Sequence, residues 1–171
     1  KKCLLQKTES KMKYLFVITF ILVYSFFGLE LGYTDKSGIL SHFTYMFQHI
    51  NIIHLLLNSF SFIVVWIALQ KHVKHLYILP MFLIAFVASF LPYASFATPT
   101  VGVSGVVYAM MGILALYLRK KNLAIFLLSV LIALIISYFV PNSNFFIHLY
   151  CFLGGVVYGM FDKMTNTIHY D

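Results

Sequence analysis

Ser104 and His148 each stand at the mouth of a long apolar run, and a hydroxyl beside an imidazole is the minimum equipment for nucleophilic catalysis. Ser104 lies in Gly102-Val103-Ser104-Gly105, behind the uncharged loop 92–103 that contains Pro99. Glycine permits tight turns and close backbone approach, so the chain can enter the next helix abruptly with the hydroxyl exposed. The first amides of a helix have no intrahelical acceptor, and the helix dipole is positive there. An oxyanion forming on a carbonyl attacked by Ser104 would meet the Ser104 amide in a favourable field. Imidazole is the usual neighbouring base at neutral pH, which makes His148 the candidate. Alone, Ser104 would serve packing or capping and His148 would be an interfacial residue; their combination favours chemistry.

A third segment supplies His54 and Asn58, four residues apart and therefore on one helix face, with His49 five residues earlier. Neutral amide and imidazole groups can donate to an oxyanion without bringing formal charge into lipid. The same pair can join helices by hydrogen bonds, typically ~0.6 kcal/mol each in membranes, and the two roles are compatible. His49 is expected to hold the loop before its span. Glu30 and Asp35 fall at the end of the first span and in its loop, so no carboxylate is near His148 and a dyad is expected. Tyr108, one turn beyond Ser104, is placed either to stack on the imidazole or to fill the core.

The elements that must hold these groups follow from composition. Of 171 residues, 61% are hydrophobic and only 10% charged, more apolar than a water-soluble surface tolerates. A span takes about 20 apolar residues, fewer when short or re-entrant. Six are predicted, at 14–32, 50–70, 76–91, 104–118, 123–140 and 145–161. Backbone groups cannot be satisfied by lipid, so the expected fold is an all-α membrane protein, a six-helix bundle. The connections leave no room for a second domain: a membrane domain over 14–162 lies between tails 1–13 and 163–171. The spacing His148, Cys151, Gly155, Gly159 gives one face of the sixth span, and Ser104, Tyr108, Gly112 one face of the fourth, with Gly105 and Ala109 alongside.

Eleven of the twelve Lys and Arg residues fall in the N-terminal segment, the second and fourth loops and the C-terminal segment; Lys36 is the exception. That asymmetry predicts cytoplasmic termini and an active site toward the outer face. The net charge of +7 thus reports topology, and the basic groove with interleaved aromatics that nucleic acid would need is absent from the sequence. The Lys-rich start before an apolar run is expected to be a retained first span, because the run is too long for a signal peptide. Cys3 and Cys151 fall at different levels of the bundle, and no disulfide between them is expected.

The motifs resemble those of the rhomboid intramembrane serine proteases, bacterial type. His49 through Asn58 is similar to the family's His-x-x-x-x-His-x-x-x-Asn pattern, Gly102 through Gly112 to its nucleophile motif with a trailing tyrosine, and His148 with Gly155 and Gly159 to its last span. The resemblance implies Ser104 as nucleophile, His148 as base, and His54, Asn58 and the Ser104 amide as oxyanion donors. Tyr108 is implied as the ring stacked on the base. It further implies single-span membrane proteins as substrates, cut in or near the bilayer and often after a small side chain, no cofactor, and a bacterial inner (plasma) membrane location. Two departures stand out. Cys151 occupies a usual glycine position and can push the fourth and sixth spans apart, weakening the Ser104–His148 contact. Leu40-Ser41 replaces a common Trp-Arg pair in a short first loop, which leaves that loop's form open. Neither removes a reacting group. The alternatives are an inactive rhomboid-like protein that binds transmembrane clients, a metal or haem site built from His42, His49, His54 and His148, and a transporter, for which inward acidic residues and inverted repeats are wanting.

Overall fold

Among the described residues, three runs are long and apolar enough to cross a membrane as continuous helices, Ile52–Gln70, Lys120–Phe139 and Phe145–Met164, and two shorter apolar helices sit among them. The computed structural model describes residues 2–73, 78–94, 96, 98–139 and 143–168, with side chains from 11 to 164. The helices are α1 (Lys2–Phe26), α2 (Ser41–Thr44), α3 (Ile52–Gln70), α4 (Leu79–Ala88), α5 (Ser104–Ala115), α6 (Lys120–Phe139) and α7 (Phe145–Ile168). Single 3-10 turns occupy Leu29–Leu31 and Tyr45–Phe47. Among the described residues there is no strand, only one isolated antiparallel bridge between Tyr33 and Thr100. The six longer helices take the order of the six expected spans in an all-helical bundle.

Several boundaries differ from expectation. The first helix stops at Phe26 instead of residue 32, because Gly28 is extended (φ −76°, ψ −165°). The buried Gln48 amide takes over the carbonyls released there, Nε2 donating to Phe27 O at 2.5 Å and to Gly28 O, the groups a helix end leaves without partners. At the other end α1 runs back to Lys2, so residues 2–13 of the expected tail are helical. α4 is short, opening with a proline in its first turn and ending at Ala88, where Ser89 Oγ bonds Phe86 O at 2.6 Å. α5 ends at Ala115 rather than 118, and Lys163 Nζ donates to the Leu116 carbonyl just beyond it at 2.7 Å. α7 continues past 161 to Ile168. Lys1, Lys74, the Cys3 side chain, the ends of the expected spans at 76–77 and 140, residues 95 and 97 of loop 92–103, and 169–171 lie outside the description.

α5 is the centre of the bundle, with ten of its twelve residues buried. Its main partner is α7, and the contact is backbone on backbone. A Cβ added to Gly155 would come within 2.0 Å of Ala109 O, and one on Gly112 within 2.1 Å of Phe152 O. Small residues allow this approach, which dispersion and helix–helix contacts reward when lipid supplies no hydrophobic drive. Cys151 fits the same interface. It is fully buried, and its Sγ would stand 3.1 Å from a Cβ on Gly105. The expectation that it forces the two helices apart is therefore corrected: Gly105, lacking a side chain opposite, makes the room.

The first loop is structured without the Trp-Arg pair. Tyr33 and Thr100 exchange backbone hydrogen bonds at 3.2 and 2.8 Å, the Tyr33 hydroxyl donates to Ala94 O, and Tyr45 donates from its hydroxyl to Ala85 O at 3.1 Å. Gly102 N in turn donates to Tyr45 O at 2.9 Å. His42 is stacked between Tyr33 (ring centroids 4.6 Å) and Phe90 (4.1 Å), with Nδ1 2.9 Å from Ser89 Oγ. Burial lowers its pKa below the ordinary 6.5. The first loop and the turn before Ser104 are thus one connected unit.

Candidate active site

Gly102 adopts φ +118°, a conformation glycine reaches at no steric cost, and the chain turns there into α5 two residues later. A Cβ on Gly102 would come within 2.9 Å of His54 and 3.0 Å of Asn58, so the turn also needs glycine for the close approach of α3. α7 is set by Asn144, immediately before its first residue. The Asn144 Oδ1 accepts from Ile147 N at 3.1 Å, while Nδ2 donates to Ala94 O at 2.7 Å and to Thr100 Oγ1 at 3.2 Å. One capping side chain therefore locks the start of α7 to the loop that leads into α5.

The result is contact between the two candidate reacting groups, His148 Nε2 lying 2.8 Å from Ser104 Oγ. Tyr108 lies flat on the imidazole, with ring centroids 4.4 Å apart and an interplanar angle of 18°. Tyr108 also belongs to the buried core, so its two anticipated placements hold together. On the far side of the ring plane's edge, His148 Nδ1 meets Ser137 Oγ of α6 at 2.7 Å, and Ser137 Oγ meets Ser143 Oγ at 2.7 Å. Sequence reading missed Ser137, Ser143 and Asn144. For Ser137 a signal existed: a hydroxyl within an apolar span is the kind of residue that faces protein or water.

Asn51 caps α3 by accepting from His54 N at 2.8 Å, which fixes the first turn from which His54 and Asn58 project. Asn58 Nδ2 donates to His54 Nε2 at 2.9 Å. His49 is fully buried, its ring 5.3 Å from that of His54 and 5.8 Å from that of Phe20. Burial, followed by the neighbouring His54, pushes its pKa down to about 3, so it is a neutral wedge between α1 and α3. Ser104, His148, His54, Asn58 and Tyr108 all line one cavity of ≈540 Å³ bounded by α3, α5, α6 and α7. Its lining sets these polar groups among apolar side chains such as Leu57, Val107 and Met111, as ligand sites generally do. Among the described residues no three histidine, cysteine or carboxylate side chains group as metal ligands. His42, one of the four histidines of the metal alternative, is instead engaged with Ser89.

The rhomboid domain family matches residues 36–164. A candidate rhomboid protein of Acanthamoeba polyphaga mimivirus is 28% identical over 158 residues, an alignment covering 86% of this chain and 90% of the relative. The chain belongs to the rhomboid family. It is accordingly an integral membrane protein, a helical bundle of rhomboid type, with α1 lying ahead of the matched stretch.

Proposed function

We propose that the protein is an intramembrane serine endopeptidase that hydrolyses peptide bonds in or near transmembrane segments of single-span proteins. The observation that carries this reading is the 2.8 Å contact between Ser104 Oγ and His148 Nε2 at the head of α5, beside a cavity of ≈540 Å³. His148 takes the Ser104 proton as the hydroxyl attacks the scissile carbonyl, then returns it to the leaving amine. Water repeats the sequence on the acyl-enzyme. The oxyanion meets the Ser104 amide at the positive end of α5 and the second N–H of Asn58. While Asn58 donates to it, His54 Nε2 holds a lone pair; His54 becomes a donor when its ring carries the proton on Nε2. Gly102 and His49 support the turn and α3. A substrate helix hides its peptide bonds and must unwind locally, which Gly, Pro or polar residues in it assist.

In this reading residues 14–162 form the membrane domain, both termini are cytoplasmic, and the site faces outward across a plasma membrane of bacterial inner-membrane type. A serine-reactive fluorophosphonate tests the chemistry. Labelling of the wild type, abolished in Ser104→Ala and His148→Ala together with cleavage of a model single-span substrate, is the expected outcome. An unlabelled, inactive wild type that still binds transmembrane clients would make this a client-binding member instead.

A further inference from the structure

We propose that Ser137 is the positioning residue for the base, a neutral third member that holds His148 in its working tautomer; the inference rests on the protease reading above. Three hydroxyls within the spans turn back on their own helix. Thr19, Ser25 and Ser129 each donate to the carbonyl four residues earlier, at 2.9, 2.8 and 2.9 Å. Ser137 departs from that habit. Its hydroxyl is buried, and it lies 2.7 Å from His148 Nδ1 and 2.7 Å from Ser143 Oγ.

A consistent direction runs through these contacts. Ser104 O–H donates to Nε2, which requires the imidazole proton on Nδ1. Nδ1–H then donates to Ser137 Oγ, and the Ser137 proton goes on to Ser143 Oγ. When His148 becomes an imidazolium, the Nδ1 hydrogen bond becomes charge-assisted and strengthens at the moment the reaction needs it.

The two serines flanking His148 are not equivalent. Ser104 opens α5, where the helix field favours an anion, whereas Ser137 sits in the last turn of α6, where it favours a cation. The field therefore assigns the nucleophile to one side of the ring and imidazolium support to the other. Ser137 also shares a face with Val130 and Leu134, the other buried residues of α6. The base is thus oriented from a helix that buries only a few of its residues in the bundle.

The test uses the full chain in detergent and the pair Ser137→Val and Ser137→Thr. Threonine and valine have nearly the same shape, so any packing penalty is common to both and only the hydroxyl differs. Ser137→Val is expected to lower kcat about 10- to 100-fold with KM within about twofold, and Ser137→Thr to restore most of it. Equal kcat in the two variants overturns the assignment. A second readout needs no activity: nitrogen-15 NMR of histidine-labelled protein at alkaline pH, with His148→Gln identifying the signals. The proton is expected on Nδ1 in the wild type and Ser137→Thr, and redistributed toward Nε2 in Ser137→Val. A wild-type proton on Nε2, or signals unmoved by Ser137→Val, sinks the proposal. An inactive wild type would count against the protease reading, while the NMR would still decide the role of Ser137.

Discussion

The α5–α7 contact and the seat of α6 are built to opposite rules. Between α5 and α7 the backbones touch, with Gly112 and Gly155 leaving about 2 Å to the opposing carbonyls for any added Cβ. α6 rests on the bundle through Val130, Leu134 and Ser137, and turns its other faces outward. Ser104 and His148 meet across the tight contact, while the cavity beside them is walled partly by α6. Catalytic geometry tolerates errors well under an ångström, and close-packed backbone is the stiffest available frame. Under the proposed function, a wall that admits a polypeptide benefits from the reverse.

The largest effect that could break this contrast is at Gly155. Gly155→Val places side-chain carbons against Ala109 O, with expected destabilisation of about 3 kcal/mol and loss of fluorophosphonate labelling. Thermal unfolding in detergent, read beside labelling, checks it; a stable, labelled variant would show that the contact is not the frame. Leu134→Ala comes next. A cost of about 2 kcal/mol is expected from the lost burial on α6, with labelling at Ser104 retained because α5 and α7 are untouched. Cys151→Gly should be milder: cleavage within about twofold of wild type and stability lower by about 1 kcal/mol, since the thiol fills its site instead of prying it open.

The smallest effect concerns the first loop. His42 titrates below 6.5 when folded, so an unfolded chain binds its proton first as pH falls. The resulting stability is full above pH 6.5 and declines as pH drops below it. The melting temperature should therefore fall between neutral and mildly acidic pH, and less steeply in His42→Phe, which keeps the stacking and cannot take a proton. Identical slopes would remove His42 from the account.

Much of this was legible in the chain. Gly102-Val103-Ser104-Gly105 announced an abrupt helix start, and the small residues on the fourth and sixth spans announced faces that meet. The positions of the helix ends were less readable. α1 stops early because Gly28 is extended and Gln48, far along the chain, holds the Phe27 and Gly28 carbonyls just past its end, and α4 is short because Pro80 and Ser89 bracket it. The first loop, with its common Trp-Arg pair missing, gave no local cue that Tyr33, Tyr45 and His42 would anchor it to distant elements. Ser137 was passed over because the search for a partner to His148 looked for carboxylates.

Sequence alone determined the lipid solvent, the all-helical class and the order of the longer helices, and the residue types available for chemistry, because composition and helical periodicity are properties of a chain read along its length. Only the tertiary structure decided which hydroxyl meets which imidazole nitrogen, that Cys151 is accommodated, and that Asn144 ties α7 to the turn before Ser104. Those outcomes depend on how each helix is rotated and tilted against its neighbours. Rotation is set by contacts between residues far apart in the chain, and no local pattern encodes it.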